Sequence, residues 1–441
     1  MNKEVCAFVF NPFTNDARVL RECSALADAG YNVDLICINN HEGTILPKRE
    51  RREEGFNVIR VDSILPWFIN IFIRACSTLM AVIKKNLLTK LLALFIIVFF
   101  LLVAPIATLF FGVIFVVLAN KTFEKIARRG YNILQMIYYG SKKNYVLYHA
   151  NDLNTLPQAV ICGKLFKKSK LVYDSHEVQT SRSGYDSPIF GKIENFLIKY
   201  IDVMIHENDT RAEFTKDLYN IPLPRVIHNY PFVSKPEESK SVNLHKLVGI
   251  SEDEPILLYQ GGIQKGRGLE LILQATPLFK RGIVVFIGDG NIKPKLEKLV
   301  AEMNLADRVK FVSKVPVEDL LNYTRNAYLG FQLLNNINFN HYSASSNKLF
   351  EYMMSGVPAV ACSFPEIKKV IDAEETGLCV DSHDVKSIAN GVNYLLDHSD
   401  LRDEMSKNCL VARHKYNWEN EKEIFLSIYS EVLHGHIAGA N

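Results

Sequence analysis

Short apolar runs recur along this chain, separated by stretches with apolar residues at every third or fourth position. "EVCAFVF" (4–10) is β-rich and leads through the turn "NPFTND" into "ARVLRECSALADAG", whose apolar spacing and closing glycine predict a helix. "YNVDLICI" and "FNVIRVD" predict the next strands. The same alternation resumes at "YVLYHAND", "KLVYDSHE" and "IDVMIHEN". A second series runs through "PILLYQGG", "GIVVFIGDG", "RVKFVSKV", "AYLGFQLL" and "VPAVACS". Strands alternating with helices predict parallel sheets covered on both faces, that is, an α/β fold. The proline-rich, charged stretch "IPLPRVIHNYPFVSKPEESKS" (221–241) reads as a linker between two doubly wound domains, and "NWENEKEIFLSIYSEVLHG" as a closing amphipathic helix.

One segment breaks the rhythm. Leu91 to Asn120 holds thirty residues and no charge. As one straight helix it would extend about 45 Å, against a hydrocarbon core of about 30 Å. Pro105, near its middle, would kink or break it. The strands on either side belong to one expected sheet, so both ends of the run must lie on one side of a membrane. A membrane-embedded helical hairpin turning near Ala104-Pro105, with legs of about fourteen residues, satisfies both constraints. A buried core helix competes with it. The upstream stretch 65–83 is a poor span, because Arg74 at its centre costs roughly 2.5–3.5 kcal/mol; it suits an interface better. Lys84, Lys85 and Lys90 precede the run, and Lys121, Lys125, Arg128 and Arg129 follow it. Basic flanks favour the cytoplasmic side, here the cytoplasmic face of the inner membrane.

Composition adds little else. A net charge of +3 gives no sign of a nucleic-acid partner. Eight scattered cysteines without a C-x-x-C pair suggest neither a zinc ribbon nor a redox motif and fit a reducing compartment. The first twenty residues lack the apolar core of a signal peptide.

Ligands in open α/β sheets sit beyond the carboxyl ends of the strands. The polar clusters 149–152 and 174–177 lie there, as do the glycine-rich turns Gly261-Gly262 and Gly288-Asp289-Gly290. Glycines admit close backbone approach, a helix start favours an anion, and Lys265 or Arg267 can neutralise it. An ordinary strand–helix turn explains each glycine turn equally well. In "SASSNKLFEYMMSGVPAVA" (343–361), Ser343, Ser346 and Asn347 precede a helix start, followed by Lys348 and Leu349; Glu351 can accept two hydrogen bonds from a ribose diol, or be a solvated helix charge.

With "YQGGIQKGRGLELILQA", "IGDGNIKPKLEKL", "RVKFVSKVPVEDLLNYTRNA" and "NKLFEYMMSGVPAVA" in this order, the chain resembles the retaining GT-B glycosyltransferases of family 4. The opening "NPFTNDARVLRECSALADAGYNVDLI" is similar to the family's as well. The resemblance implies an acceptor-binding Rossmann-like domain over 1–228 with a membrane-associated insertion at 65–140. It implies a nucleotide-sugar-binding Rossmann-like domain over 229–415, and a C-terminal helix over 416–441 that crosses back to the first domain. It gives His176, Arg267 and Glu351 catalytic roles: sugar contact, diphosphate binding and ribose binding. The donor side would comprise Gly261, Gly262, Lys265, Gly288, Asp289, Gly290, Ser343, Ser346, Asn347, Lys348 and Leu349; the acceptor side Asn15, Asp16 and Asp152. Two positions depart from the family. Ser343 stands where the family has its first glutamate, and Gly262 where it has an arginine; Lys265 or Lys348 could supply the missing charge.

The implied reaction is sugar transfer from an NDP-sugar, with UDP or GDP as the expected nucleotide, to a lipid-linked acceptor in the membrane. This places the chain in surface polysaccharide or glycolipid assembly. The sequence has no D-x-D motif, so neither a metal nor a further cofactor is expected. A non-catalytic scaffold of the same fold, a nucleotide-sugar epimerase, and an anchored enzyme with a soluble acceptor remain as alternatives.

Overall fold

The computed structural model describes residues 3–14, 16–39, 46–182, 187–233, 242–317 and 319–435. Asn15 and residues 234–241 of the expected linker lie outside them. Fourteen strands follow in chain order. They are β1 (Glu4–Phe8), β2 (Asn32–Asn39), β3 (Arg49–Arg51), β4 (Asn57–Asp62), β5 (Leu147–Asn151), β6 (Lys170–Ser175) and β7 (Val203–His206). The series continues with β8 (Arg225–Val226), β9 (Ile256–Gln260), β10 (Ile283–Ile287), β11 (Val309–Val312), β12 (Leu329–Gln332), β13 (Ala359–Cys362) and β14 (Gly377–Val380). One sheet has the order β3-β4-β2-β1-β5-β6-β7-β8 and the other β11-β10-β9-β12-β13-β14. The central pairings are parallel, and β3 lies antiparallel on the edge beside β4.

Every residue of β9 and β10 is buried, as in strands covered on both faces. Alternate side chains serve opposite faces. Leu257 and Tyr259 join a core with Val284, Phe286 and Leu329, whereas Ile256 and Leu258 join another with Val285, Ala359 and Tyr352. This makes the second sheet doubly wound.

The described chain divides into two compact units, 1–14 with 26–171 and 15–25 with 172–441. The boundary expected at 228/229 falls inside the second unit. Within that unit the helix Trp418–His434 is tied to 225–233. Glu421 accepts from His228 N at 2.9 Å, Glu431 pairs with Arg225, and Arg21 lies over the Trp418 ring.

The first unit contains the apolar insertion. α1 (Ala17–Asp28) is followed by α2 (Trp67–Lys85), α3 (Leu87–Val103), α4 (Pro105–Leu118) and α5 (Lys121–Gly140). Pro105 ends the apolar run as a single helix: Ala104 leaves helical geometry at ψ 71°, and α4 starts at the proline. The Asn86 and Asn120 side chains cap α3 and α5 by accepting from Thr89 N and Thr122 N. Helices α2, α3 and α4 pack on one another, and α5 packs on β2 and β4.

The lengths correct one expectation. Among the described residues only Trp67–Lys85 is long and apolar enough to cross a membrane, and the two legs of the 91–120 run are shorter. A membrane-embedded hairpin is therefore not supported by length. The stretch set aside because of Arg74 is the longer helix, because no proline interrupts it.

Candidate active site

All residues in this subsection belong to the second unit except where stated. The loops after β9 and β10 are stitched by their backbones. Gly261 N donates to Ile287 O and Ile263 N to Asp289 O. A Cβ at Gly288 would lie 2.0 Å from Gly261 O, and one at Gly290 2.1 Å from Ile263 O, so only glycine lets these loops meet. Asp289 braces the loop: its carboxylate takes Lys293 Nζ at 2.8 Å and Lys314 N at 2.9 Å, which hold its pKa below the usual range.

Beside these loops, the helix Asn347–Met354 presents Lys348 and Glu351 one turn apart. Fully buried Gln260, the last residue of β9, donates to Glu351 Oε2 at 2.7 Å and accepts from Thr324 at 2.7 Å. Burial raises the Glu351 pKa, while Gln260, Lys348 and Arg21 oppose the rise. The Lys348 ammonium lies over the Tyr259 ring at 5.3 Å, and its stem passes Gly261 at van der Waals distance from a virtual Cβ. Burial, and then the Arg267 charge, pull the Lys348 pKa down to about 7. Arg267 also lowers the pKa of His341, after burial, and His341 Nδ1 sits 3.1 Å from Gly266 O. Lys265 is exposed on the same loop. Ser346 donates to Gln332, Asn347 opens the helix, Leu349 is buried in the core, and Gly262 O accepts from Tyr259.

A second polar group surrounds His176. Its Nε2 lies 3.3 Å from Asp174 Oδ2. Arg18 grips Asp174 with two bonds, at 2.7 and 2.9 Å, and donates to Ile227 O. The carboxyl of Asp174 stays well below its ordinary range: burial works against this, but Arg18 and His176 hold the charge. Glu22, 3.0 Å from Arg18, is pushed well above its range by burial and then by Asp174.

Arg211 joins this group to the segment before the Asn347 helix. It donates to His176 O at 2.6 Å, Asn340 O at 2.8 Å and Ser343 Oγ at 3.1 Å, and pairs with Glu207. Asn340 exchanges two hydrogen bonds with the Val178 backbone, at 2.8 and 3.0 Å. Ser343 is thus fully buried, with its hydroxyl donating to Phe339 O and accepting from Arg211. Its hydroxyl braces the helix turn.

Of the acceptor-side candidates, Asn15 is outside the described residues. Asp16 caps α1 by accepting from Val19 N at 3.2 Å. Asp152, in the first unit, follows β5 in the left-handed region at φ 64°. Sequence reasoning missed Gln260, Arg211 and Asn340. Each is a single polar residue amid apolar neighbours, and a glutamine closing an otherwise apolar strand is the one local signal.

Residues 242–410 match the family described as glycosyl transferases group 1. Among curated relatives, alpha-D-kanosaminyltransferase of Streptomyces kanamyceticus is 28% identical over 203 residues, 44% of this chain and 50% of that protein. D-inositol 3-phosphate glycosyltransferase of a Nocardioides species is 24% identical over 259 residues, 54% of this chain and 55% of that protein. The chain spans about half the length of the curated relatives it matches. Among solved structures, sucrose-phosphate synthase from Thermosynechococcus elongatus superposes with a TM-score of 0.73 at 17% identity, covering 98% of this chain and 100% of that one. Anabaena HepE, in complex with UDP and glucose, gives 0.67 at 12% identity over 97% of this chain and 100% of its own. The fold is that of the GT-B enzymes, and within it residues 242–410 are similar to the group 1 glycosyl transferases.

Proposed function

We propose that this chain is a retaining glycosyltransferase that moves a sugar from an NDP-sugar, with UDP or GDP as nucleotide, to a lipid-linked acceptor at the cytoplasmic face of the inner membrane. The observation that carries the transfer reading is the Gln260–Glu351–Lys348 group beside Arg267 and the glycine loops, inside the segment that matches the glycosyl transferases. Glu351, oriented by Gln260, suits a ribose diol. Arg267, Lys348 and the first N–H groups of the Asn347–Met354 helix suit a diphosphate.

In the reaction, the bond from the anomeric carbon to the β-phosphate oxygen breaks and the acceptor oxygen bonds to that carbon. The acceptor proton passes to the leaving diphosphate. Negative charge grows on that leaving group, so fixed cations and N–H dipoles lower the barrier most. His176, with Asp174 behind it, is assigned to the transferred sugar by the family resemblance.

The membrane part rests on the first unit. Trp67, Phe95, Leu102 and Ile106 are more than half exposed, and α3 buries no residue among those described. Each such side chain gains about 1.5–3 kcal/mol on leaving water, so a lipid surface would stabilise the insertion as it stands. The test is incubation with labelled UDP- and GDP-sugars and a lipid extract, with NMR of the product anomer. Label in the organic phase with the donor's anomeric configuration supports the reading. An inverted product overturns retention, and label confined to water overturns the lipid acceptor.

One observation favours a second reading, a non-catalytic scaffold of the same fold. Ser343 carries no carboxylate for the sugar, and its hydroxyl is consumed within the protein.

A further inference from the structure

The first unit holds a cleft of about 680 Å³ that the candidate active site does not use. Phe10 lies just past β1, Ile38 near the end of β2, and Ser63 and Ile64 just past β4. The cleft therefore opens at the carboxyl edge of parallel strands, where such sheets take ligands. α5 closes it with Lys125, Arg128 and Arg129.

These cations are held in place. Arg128 pairs with Glu124 at 2.7 Å and donates to Ser63 O at 3.3 Å. The Arg129 guanidinium sits 5.1 Å over the Phe10 ring and bonds the Asn154 side chain. Lys125 is exposed on the same helical turn. Glu124 offsets one positive charge of the three, which leaves the cleft cationic. A run of basic residues on a helix is ordinarily a solvated face, but here two cations are held by the segments that follow β1, β4 and β5 and line a concave site.

The apolar helices begin and end at this spot. α2 starts at Trp67, three residues beyond Ile64, and α4 ends at Leu118, seven residues before Lys125. A soluble phosphate ester would use the cations and leave the exposed apolar helices without a role. A ligand with a phosphate head and a hydrocarbon tail uses both. We propose that this cleft binds the terminal phosphate of a membrane lipid of the polyprenyl phosphate type, with its hydrocarbon lying along α2–α4: a phosphate monoester carries up to about two negative charges, which match the cleft's excess of cations better than the single charge of a phospholipid diester. That this lipid is the sugar acceptor rests on the reading above; that it binds here does not.

The test is equilibrium binding of the full chain to lipid nanodiscs without any donor. The discs contain phosphatidylcholine alone, phosphatidylcholine with a polyprenyl phosphate, or phosphatidylcholine with phosphatidylglycerol at matched surface charge. The polyprenyl phosphate discs are expected to bind about tenfold tighter than the phosphatidylglycerol discs, beyond the contribution of surface charge alone. Lys125→Glu with Arg129→Glu should erase that preference. Lys125→Ala, a milder change at an exposed site, should lower it several-fold with an unchanged thermal melt. Equal binding to the two anionic discs reduces the cleft to a general charged face and overturns the proposal. A preference that survives both variants overturns it too. Inorganic pyrophosphate that binds as tightly as the lipid would assign the site to a soluble phosphate. No donor is present, so a chain that binds the lipid but transfers no sugar refutes the transfer reading and leaves this one intact.

Discussion

The candidate site of the second unit and the apolar insertion of the first answer the same question, what to do with side chains that water dislikes or likes too well, in opposite ways. In the candidate site charged groups are taken out of water and paired: Arg18 holds Asp174, Arg211 joins four partners, and Gln260 holds Glu351. In the insertion, apolar groups are left exposed, with Leu102 at 81% and Ile106 at 85%. A paired buried charge is a fixed electrostatic site whose environment is already complete. An exposed apolar helix is an incomplete one. The contrast locates chemistry in one region and a missing environment in the other.

The largest effect that would break this contrast is at Arg18. Arg18→Ala leaves Asp174 buried without its two guanidinium bonds, with His176 as its remaining cationic neighbour, and should cost about 3–5 kcal/mol of stability. A denaturant melt checks it, and a loss below 1 kcal/mol would mean that the pair is solvated. Next is Glu351→Gln, which keeps the shape but lets the Gln260 amide face another amide. Transfer should fall about a hundredfold, equivalent to about 2.7 kcal/mol, while the melt moves little.

Lys348 gives a pH signature. Its folded value of about 7 lies below the ordinary 10.5, so between these values the unfolded chain holds a proton that the folded chain lacks. Stability from this group therefore rises with pH across that window. A bound diphosphate favours the charged form, so binding above pH 7 must take up a proton. Nucleotide affinity should fall by up to about tenfold per pH unit above pH 7, and Lys348→Met should flatten the profile. Titrations at several pH values check both. The smallest expected effect is on the stability of the apolar region: Leu102→Ser with Ile106→Ser should change it by less than about 0.5 kcal/mol, since both side chains lie largely exposed. The same pair should weaken detergent and vesicle binding, as flotation would show.

Much of the fold was legible because parallel strands are short apolar runs. β1, β4 to β7 and β9 to β13 lie within stretches read as strands, and β2 runs one residue beyond its own. The charged "RER" of β3 carries no apolar signal, because an edge strand needs only backbone partners. Arg74 argues against a span at 65–83 on composition, and α2 nonetheless forms a 19-residue helix there that packs on α3 and α4. In the candidate site the glycine loops and Glu351 were visible as motifs. Gln260, Arg211 and Asn340 were not, because their partners lie 91, 132 and 162 residues away. A single polar residue looks solvated until the fold brings its partner to it.

The central claim is tested most directly by sugar transfer itself. Detergent-solubilised full chain would be given labelled UDP- and GDP-sugars with a lipid extract, and Glu351→Ala run beside it. The account predicts label in the organic phase with one donor and its loss in the variant. Label transferred equally by both proteins, or by neither despite nucleotide binding, would contradict it.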